Sequence, residues 1–74
     1  MKIEEFIKEL KPLVTYDVTQ DKHYMGSMVL TNQEIHGMLK LLIGDEYTKL
    51  NGTQRTKMRQ RVFNEVRGDN NAES

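Results

Sequence analysis

The clearest structural signal in the chain lies in residues 30–42, LTNQEIHGMLKLL. Thr31 and Glu34 have the spacing of a capping box, in which the two side chains satisfy free backbone N–H groups at the start of a helix. Leu30 and Ile35 flank this box at the positions of a hydrophobic staple. The sequence therefore predicts a helix that begins after Thr31, with an apolar stripe formed by Ile35, Met38, Leu39 and Leu42.

The residues that follow predict two further helices. Gly44 is suited to end the helix that begins after Thr31, and residues 45–50 are expected to form a short helix. The turn signal Asn51-Gly52 separates this short helix from the last one. Thr53 can cap that last helix, which we expect to end before Gly68.

The residues before Thr31 predict one more helix and an irregular segment. Apolar residues at helical spacing over residues 3–10 predict an amphipathic helix, which Pro12 brings to an end. Residues 14–30 alternate in places between apolar and polar side chains, as a half-buried strand does. Because an isolated two-stranded hairpin is only marginally stable, we favour an irregular loop over a short hairpin.

The composition limits the chain to one small domain. It has 74 residues, of which 36% are hydrophobic and 30% are charged, and a chain of this size builds one core. The patterns predict an all-α fold, a small four-helix bundle over residues 1–67, followed by a disordered polar tail over residues 68–74. The absence of cysteine excludes disulfides and Cys nucleophiles and is typical of an intracellular, cytoplasmic protein. No apolar run reaches the roughly 18 residues of a membrane span.

The charge is balanced overall but not along the chain. Eleven Lys and Arg face eleven Asp and Glu, yet residues 49–67 hold six basic residues against Glu65 alone, a formal charge of +5. On a helical wheel Lys57 and Arg61 point away from the apolar face of the last helix. Arg55 and Arg59 lie towards that face. Basic and amide side chains contact phosphates and base edges, although an ordinary solvated helix face is the alternative. The predicted nucleic-acid contacts are Lys57 and Arg61 first, then Lys49, Arg55, Arg59, Arg67, Gln54 and Gln60.

The chain contains no recognisable catalytic motif. Asp17, Asp21 and His23 match no established metal-ligand spacing, and we assign them to a polar loop. His36 lies beside the apolar stripe of its helix and is assigned to the boundary of the core. No Ser/His/Asp arrangement, phosphate-binding loop or dinucleotide-binding turn is present. The sequence therefore predicts a non-enzymatic protein with no metal ion and no cofactor.

A series of short features runs from residue 27 to residue 63. An apolar lead, a Thr-Asn cap, a Leu-containing helix, a short helix and a Gly-containing turn precede a Lys-bearing helix. This order resembles the HRDC domain, the helical nucleic-acid-binding module at the C-terminus of RecQ-type helicases. The chain lacks the Pro-Tyr that usually precedes the lead and the second turn glycine of the family. The corresponding residues are Met28, Val29, Leu30, Thr31, Asn32, Ile35, Met38, Leu39, Leu50, Asn51, Gly52, Lys57 and Met58.

The HRDC resemblance implies a nucleic-acid-binding module. The chain is also similar in size to small phage proteins encoded beside a helicase, which implies an accessory of phage recombination, replication or repair in the host cytoplasm. We expect a monomer that binds single-stranded or branched DNA weakly through its basic last helix, with a helicase or another recombination protein as a further partner. One alternative is a protein–protein interaction module, an adaptor or an inhibitor of a host enzyme, with an anchor patch in residues 16–28. Another is a helix-turn-helix regulator with residues 53–66 as its recognition helix.

Overall fold

The computed structural model describes the backbone of residues 1–72 and the side chains of residues 1–67. Helices lie at both ends of the chain, and three short strands follow the first helix. No helix in this described part is both long and apolar enough to span a membrane. In chain order the elements are α1 (Ile3–Leu10), a short 3-10 helix (Lys11–Leu13), β1 (Val14–Asp17), β2 (Lys22–Met25), β3 (Met28–Val29), α2 (Asn32–Leu42), α3 (Asp45–Thr48) and α4 (Gly52–Ala72).

The segment between α1 and α2 folds into an antiparallel sheet, so the prediction of an all-α four-helix bundle is wrong. The three strands lie side by side in the order β1, β2, β3. Helix accounts for 63% of the chain, and together with the sheet this makes the fold mixed α/β. β1 pairs with β2 from Val14 opposite Met25 to Asp17 opposite Lys22. The irregular loop favoured for residues 14–30 is therefore replaced by the hairpin alternative, extended by a third strand.

Two connections bring the strands together. β2 and β3 are joined by Gly26 and Ser27, and Gly26 has a φ of 66°. A type II′ hairpin turn requires a positive φ at its first central residue, and glycine adopts it without strain. The longer connection from β1 to β2 is held by Asp17, whose Oδ1 accepts hydrogen bonds from Thr19 N at 2.9 Å and Gln20 N at 3.3 Å. Both connections are therefore fixed by local chemistry.

The sheet is stabilised by the helices that pack on one of its faces. Val14, Met25 and Met28 are register partners across the three strands and therefore share a face. Val14 and Met25 pack against the helical core. This burial supplies the stability that an isolated hairpin of such short strands would lack.

The helix α2 begins as the sequence predicts. Thr31 Oγ1 accepts a hydrogen bond from Glu34 N at 3.3 Å, and the staple residues Leu30 and Ile35 are both buried. Gly44 follows the end of the helix at a φ of 71°, which matches its predicted role. The buried apolar core consists of Phe6, Ile7, Leu10, Leu30, Ile35, Leu39, Ile43, Tyr47, Val62 and Val66.

The last helix starts and ends at other residues than the sequence predicts. α4 begins at Gly52 because Asn51 caps it: Asn51 Oδ1 accepts from Gln54 N at 2.8 Å, and Gln54 Oε1 accepts from Asn51 N at 3.2 Å. This reciprocal pair takes the capping role that we assigned to Thr53. The helix then continues to Ala72, past its predicted end. The last two residues of the polar tail lie outside the described residues, and its disorder stays a prediction.

Candidate functional site

An open groove lies between the start of α2 and the first turns of α4. Its volume is about 390 Å³. The lining contains two cationic side chains, Arg55 and Arg59, and no carboxylate. We call it the basic groove and define it by Asn32, Gln33, His36, Gly52, Arg55, Thr56 and Arg59.

Arg59 is held in the basic groove by three uncharged partners. Its Nη1 donates to the hydroxyl of Tyr47 at 2.7 Å, its Nε to Asn32 Oδ1 at 3.3 Å and its Nη2 to Thr56 Oγ1 at 3.2 Å. Tyr47 is fully buried, with 0% of its surface exposed. The guanidinium is therefore fixed in position while its positive charge is not neutralised.

Arg55 is also held by neutral groups. Its Nη1 donates to the carbonyl oxygens of Leu50 and Thr48. Arg55 and Arg59 are four residues apart on α4, so they lie on the same face of the helix. Gly52, at the start of α4, lines the same groove, where the helix dipole also favours an anion. The groove thus combines two fixed cations with a helix N-terminus.

His36 extends the hydrogen-bond network of the basic groove. The rings of His36 and Tyr47 meet edge to face with centroids 5.4 Å apart, and His36 Nδ1 hydrogen-bonds to the Tyr47 hydroxyl. Because that hydroxyl accepts from Arg59, its single hydrogen is available for His36 Nδ1. We infer that the neutral ring then carries its hydrogen on Nε2, as a donor beside the groove.

A neighbouring cavity of about 290 Å³ continues the basic surface. It shares His36 and Arg55 with the basic groove and adds Lys40 from α2. Lys40 is exposed and has no hydrogen-bond or ion-pair partner among the described residues. The two cavities together place three cations, Lys40, Arg55 and Arg59, around one imidazole.

The outward pair that the sequence ranked first does not form one basic site. Arg61 pairs with Glu65 at 2.7 Å and with Glu4 of α1 at 3.5 Å. The hydrogen bond that Arg61 donates to Glu65 is the main cause that raises the pKa of Arg61 above its ordinary value. Lys57 is exposed and has no partner among the described side chains. The fold therefore neutralises Arg61 and leaves Lys57 as a single exposed charge.

The remaining predicted contacts are dispersed. Lys49 and Gln60 are exposed, and the side chain of Gln54 is used to cap α4. Arg67 stacks over the ring of Tyr16, with Cζ 5.1 Å from the ring centroid, and donates to Asn64 Oδ1 at 2.8 Å. Arg67 therefore joins α4 to the sheet rather than to the basic groove.

Part of the basic groove could not be found from the sequence. The helical wheel correctly placed Arg55 and Arg59 on the core side of α4, and both are half-buried. His36 was assigned to the core boundary, and no predicted site included Tyr47. Their contact with Arg59 depends on how α2, α3 and α4 meet. The arginine pair at helical spacing was the one available local signal.

The polar residues of the sheet do not form a metal site. Asp17 binds the backbone of its own loop, and Asp21 accepts a hydrogen bond from the Tyr16 hydroxyl. His23 is buried between Tyr16 and Phe63, with both pairs of ring centroids 4.8 Å apart. Burial lowers the pKa of His23, and the charge of Arg67 lowers it further. Within the described residues no group of three His, Asp or Glu side chains could hold a metal ion.

Comparisons with known proteins add no relative. No protein-family model matches the chain, and no curated protein or solved structure matches it at a significant level. The HRDC resemblance therefore has only the motif order to support it, and the all-α fold that it implied is overturned by the sheet.

Proposed function

We propose that this protein is a small non-catalytic accessory that binds single-stranded or branched DNA through the basic groove. The observation that carries the proposal is the pair Arg55 and Arg59, whose guanidinium groups are fixed by neutral acceptors beside an open cavity. Phosphate oxygens are the ligands that such un-neutralised guanidiniums bind best. A role in phage recombination, replication or repair follows only from the likeness to small phage proteins encoded beside a helicase and is part of the same proposal.

The geometry favours backbone contacts over reading of bases. The groove offers guanidinium, hydroxyl and amide groups, and these are the groups that bind phosphates and sugars in most protein–DNA complexes. Its described lining contains no Phe, Tyr or Trp, the rings on which single-stranded bases stack. We therefore expect low sequence preference and an affinity that depends steeply on salt.

The number of cations in the basic groove and in the neighbouring cavity sets the expected salt dependence. Each phosphate contact on a single strand contributes about 0.7 to the slope of log affinity against log salt. Contacts from Lys40, Arg55 and Arg59 together predict a slope of about −2. Losing two of these contacts should reduce the slope to about −0.7.

The experiment compares two double variants that remove the same amount of charge. Fluorescence anisotropy with labelled single-stranded and forked DNA is measured over a salt series. In the first variant, Lys40→Gln is combined with Arg55→Gln; in the matched control, Lys57→Gln is combined with Arg61→Gln. We expect the groove variant to lose both affinity and salt slope, and the control variant to stay close to the wild type.

Four outcomes contradict the proposal. If the control variant loses as much as the groove variant, the contacts lie on the outward face of α4 that the sequence ranked first. If neither variant changes binding, or the wild type does not bind at low salt, the DNA-binding function is wrong. Dimers that protect a palindromic site would favour the helix-turn-helix regulator.

A further inference from the structure

A second cavity of about 200 Å³ is open and almost wholly apolar. It lies where α1, the sheet and α2 meet, and it shares no lining residue with the basic groove. Its floor is formed by the core residues Phe6 and Leu10. We call it the methionine groove, and its walls are Met1, Glu9, Leu13, Met25, Met38 and Leu42.

Several apolar side chains in the walls of the methionine groove are more exposed to solvent than core side chains are. Leu13 is 57% exposed, and Leu42 is 42% exposed. Met28, which is 48% exposed, lies beside the groove residue Met25 as its register partner. A contiguous apolar surface that is open to water on a small domain is typical of an interaction site.

The chemistry of the walls suits a protein ligand. Methionine is unbranched and polarisable, so its side chain can change conformation to fit the surface of an apolar partner. Displacing weakly held water from apolar walls favours binding.

The shape of the methionine groove favours a helix over a strand as the occupant. The groove residue Met25 lies on β2. The edge strand next to β2 is β3, which has only two residues and is too short to pair with an added strand. The wall formed by α1 and the 3-10 helix runs from Phe6 to Leu13, a length of about 11 Å. An apolar stripe at positions i, i+3 and i+7 of a partner helix spans about 10.5 Å and matches that wall.

The negative charge at the methionine groove favours a basic residue beside the apolar stripe of the partner helix. Glu9 is the one charged side chain in the wall, and it has no ion-pair partner among the described residues. Glu5 lies one turn before Glu9 on α1, and Glu34 lies one turn before Met38 on α2. A basic residue beside the apolar stripe of the partner would therefore complete the contact.

We infer that the methionine groove binds an amphipathic helix of a protein partner, with its apolar stripe in the groove and a Lys or Arg paired with Glu9. This surface is independent of the DNA proposal, because no residue is common to the two grooves. The sequence analysis placed the protein-interaction alternative in residues 16–28. Met25 and Met28 belong to that segment, and Met25 also lines the methionine groove.

The test uses two designed helical peptides of about 14 residues. Both carry the same leucine stripe, flanked by Lys in one and by Glu in the other. NMR spectra of ¹³C-methyl-labelled methionines follow the binding, because Met25 and Met38 line the groove whereas Met58 packs against the core from α4. We expect the Lys peptide to shift Met25 and Met38, to leave Met58 unchanged, and to bind more tightly than the Glu peptide.

Variants with a matched control complete the test. Leu42→Lys should weaken binding about tenfold because it removes an apolar wall. Leu41→Lys adds the same charge on the next residue, but Leu41 is 82% exposed and does not line the groove, so the change should stay below about twofold. Glu9→Lys should reverse the preference between the two peptides.

The inference is overturned if neither peptide shifts Met25 and Met38, or if Met58 shifts equally. It is also overturned if both leucine variants weaken binding alike, or if Glu9→Lys leaves the preference for the Lys peptide unchanged. Methyl shifts that depend on protein concentration without any peptide would assign the groove to a second copy of this chain instead.

Discussion

Replacing Tyr47 with phenylalanine tests whether the basic groove is built on one buried hydroxyl. That hydroxyl accepts from Arg59 at 2.7 Å and hydrogen-bonds to His36 Nδ1. The phenylalanine ring fills the same space in the core, where Tyr47 is 0% exposed. The substitution therefore removes two hydrogen bonds and leaves the packing in place.

The expected cost follows from the two lost bonds. A hydrogen bond to a charged group contributes about 1.5–3 kcal/mol and a neutral one about 0.5–1.5 kcal/mol. Arg59 keeps Asn32 and Thr56 as acceptors and is half-exposed, so water replaces part of the loss. We expect Tyr47→Phe to lower the free energy of unfolding by about 2 kcal/mol.

Urea unfolding followed by far-UV circular dichroism measures this change, because the chain has no tryptophan. Tyr24→Phe is the matched control: the Tyr24 hydroxyl donates to Gln20 Oε1 at 3.2 Å in an exposed pair. Removing it should cost less than about 0.5 kcal/mol. Equal costs for the two variants would refute the view that the buried hydroxyl stabilises the groove.

Two further predictions concern the sheet and its turn. Burial lowers the pKa of His23 in the folded state, so the folded protein resists a proton that the unfolded chain takes up below about pH 6.5. The contribution of neutral His23 to the free energy of unfolding should be complete above about pH 6.5 and should be lost as the pH falls below it. The loss of stability at low pH should be smaller in His23→Leu. An equal loss in the variant and the wild type would contradict the assignment of this effect to His23. Gly26→Ala should cost about 1 kcal/mol, because its Cβ meets no atom within 4 Å but its φ is 66°. Gly37→Ala, inside α2 and equally open, should instead stabilise the protein by about 0.5–1 kcal/mol, and the same sign for both glycine variants would argue against the type II′ turn.

The parts of the fold that the sequence predicted correctly are those decided by neighbours along the chain. The start of α2 depends on Thr31 and Glu34, which are three residues apart and bond directly. The sheet depends on an apolar row, Val14, Met25 and Met28, that exists only after three strands have paired. β3 has two residues, too few to show any alternation. The loop was favoured because a hairpin was weighed alone, without the helices that bury one face of it.

The candidate site divides in the same way. The spacing of Arg55 and Arg59 on one helix face is local, and the helical wheel found it. The partners of the basic residues are distant in sequence: Arg61 reaches Glu4 from the other end of the chain, and Arg59 reaches Asn32. A wheel ranks side chains by direction, so it ranked Arg61 first together with Lys57. A helical wheel cannot show whether a carboxylate from elsewhere in the fold pairs with a basic side chain.

That distinction changes what the neutral net charge means. Arg61 is paired with Glu4 and Glu65, and Arg67 lies 3.8 Å from Asp21, so these carboxylates offset cations that hold α4 to α1 and to the sheet. Among the described residues, all hydrogen-bond partners of Arg55 and Arg59 are neutral. Exposed ion pairs contribute little to stability, and their charges are partly cancelled toward an incoming phosphate. A chain with equal numbers of acids and bases can therefore keep a locally positive surface, because the ion pairs formed by Glu4, Glu65 and Asp21 lie away from the basic groove.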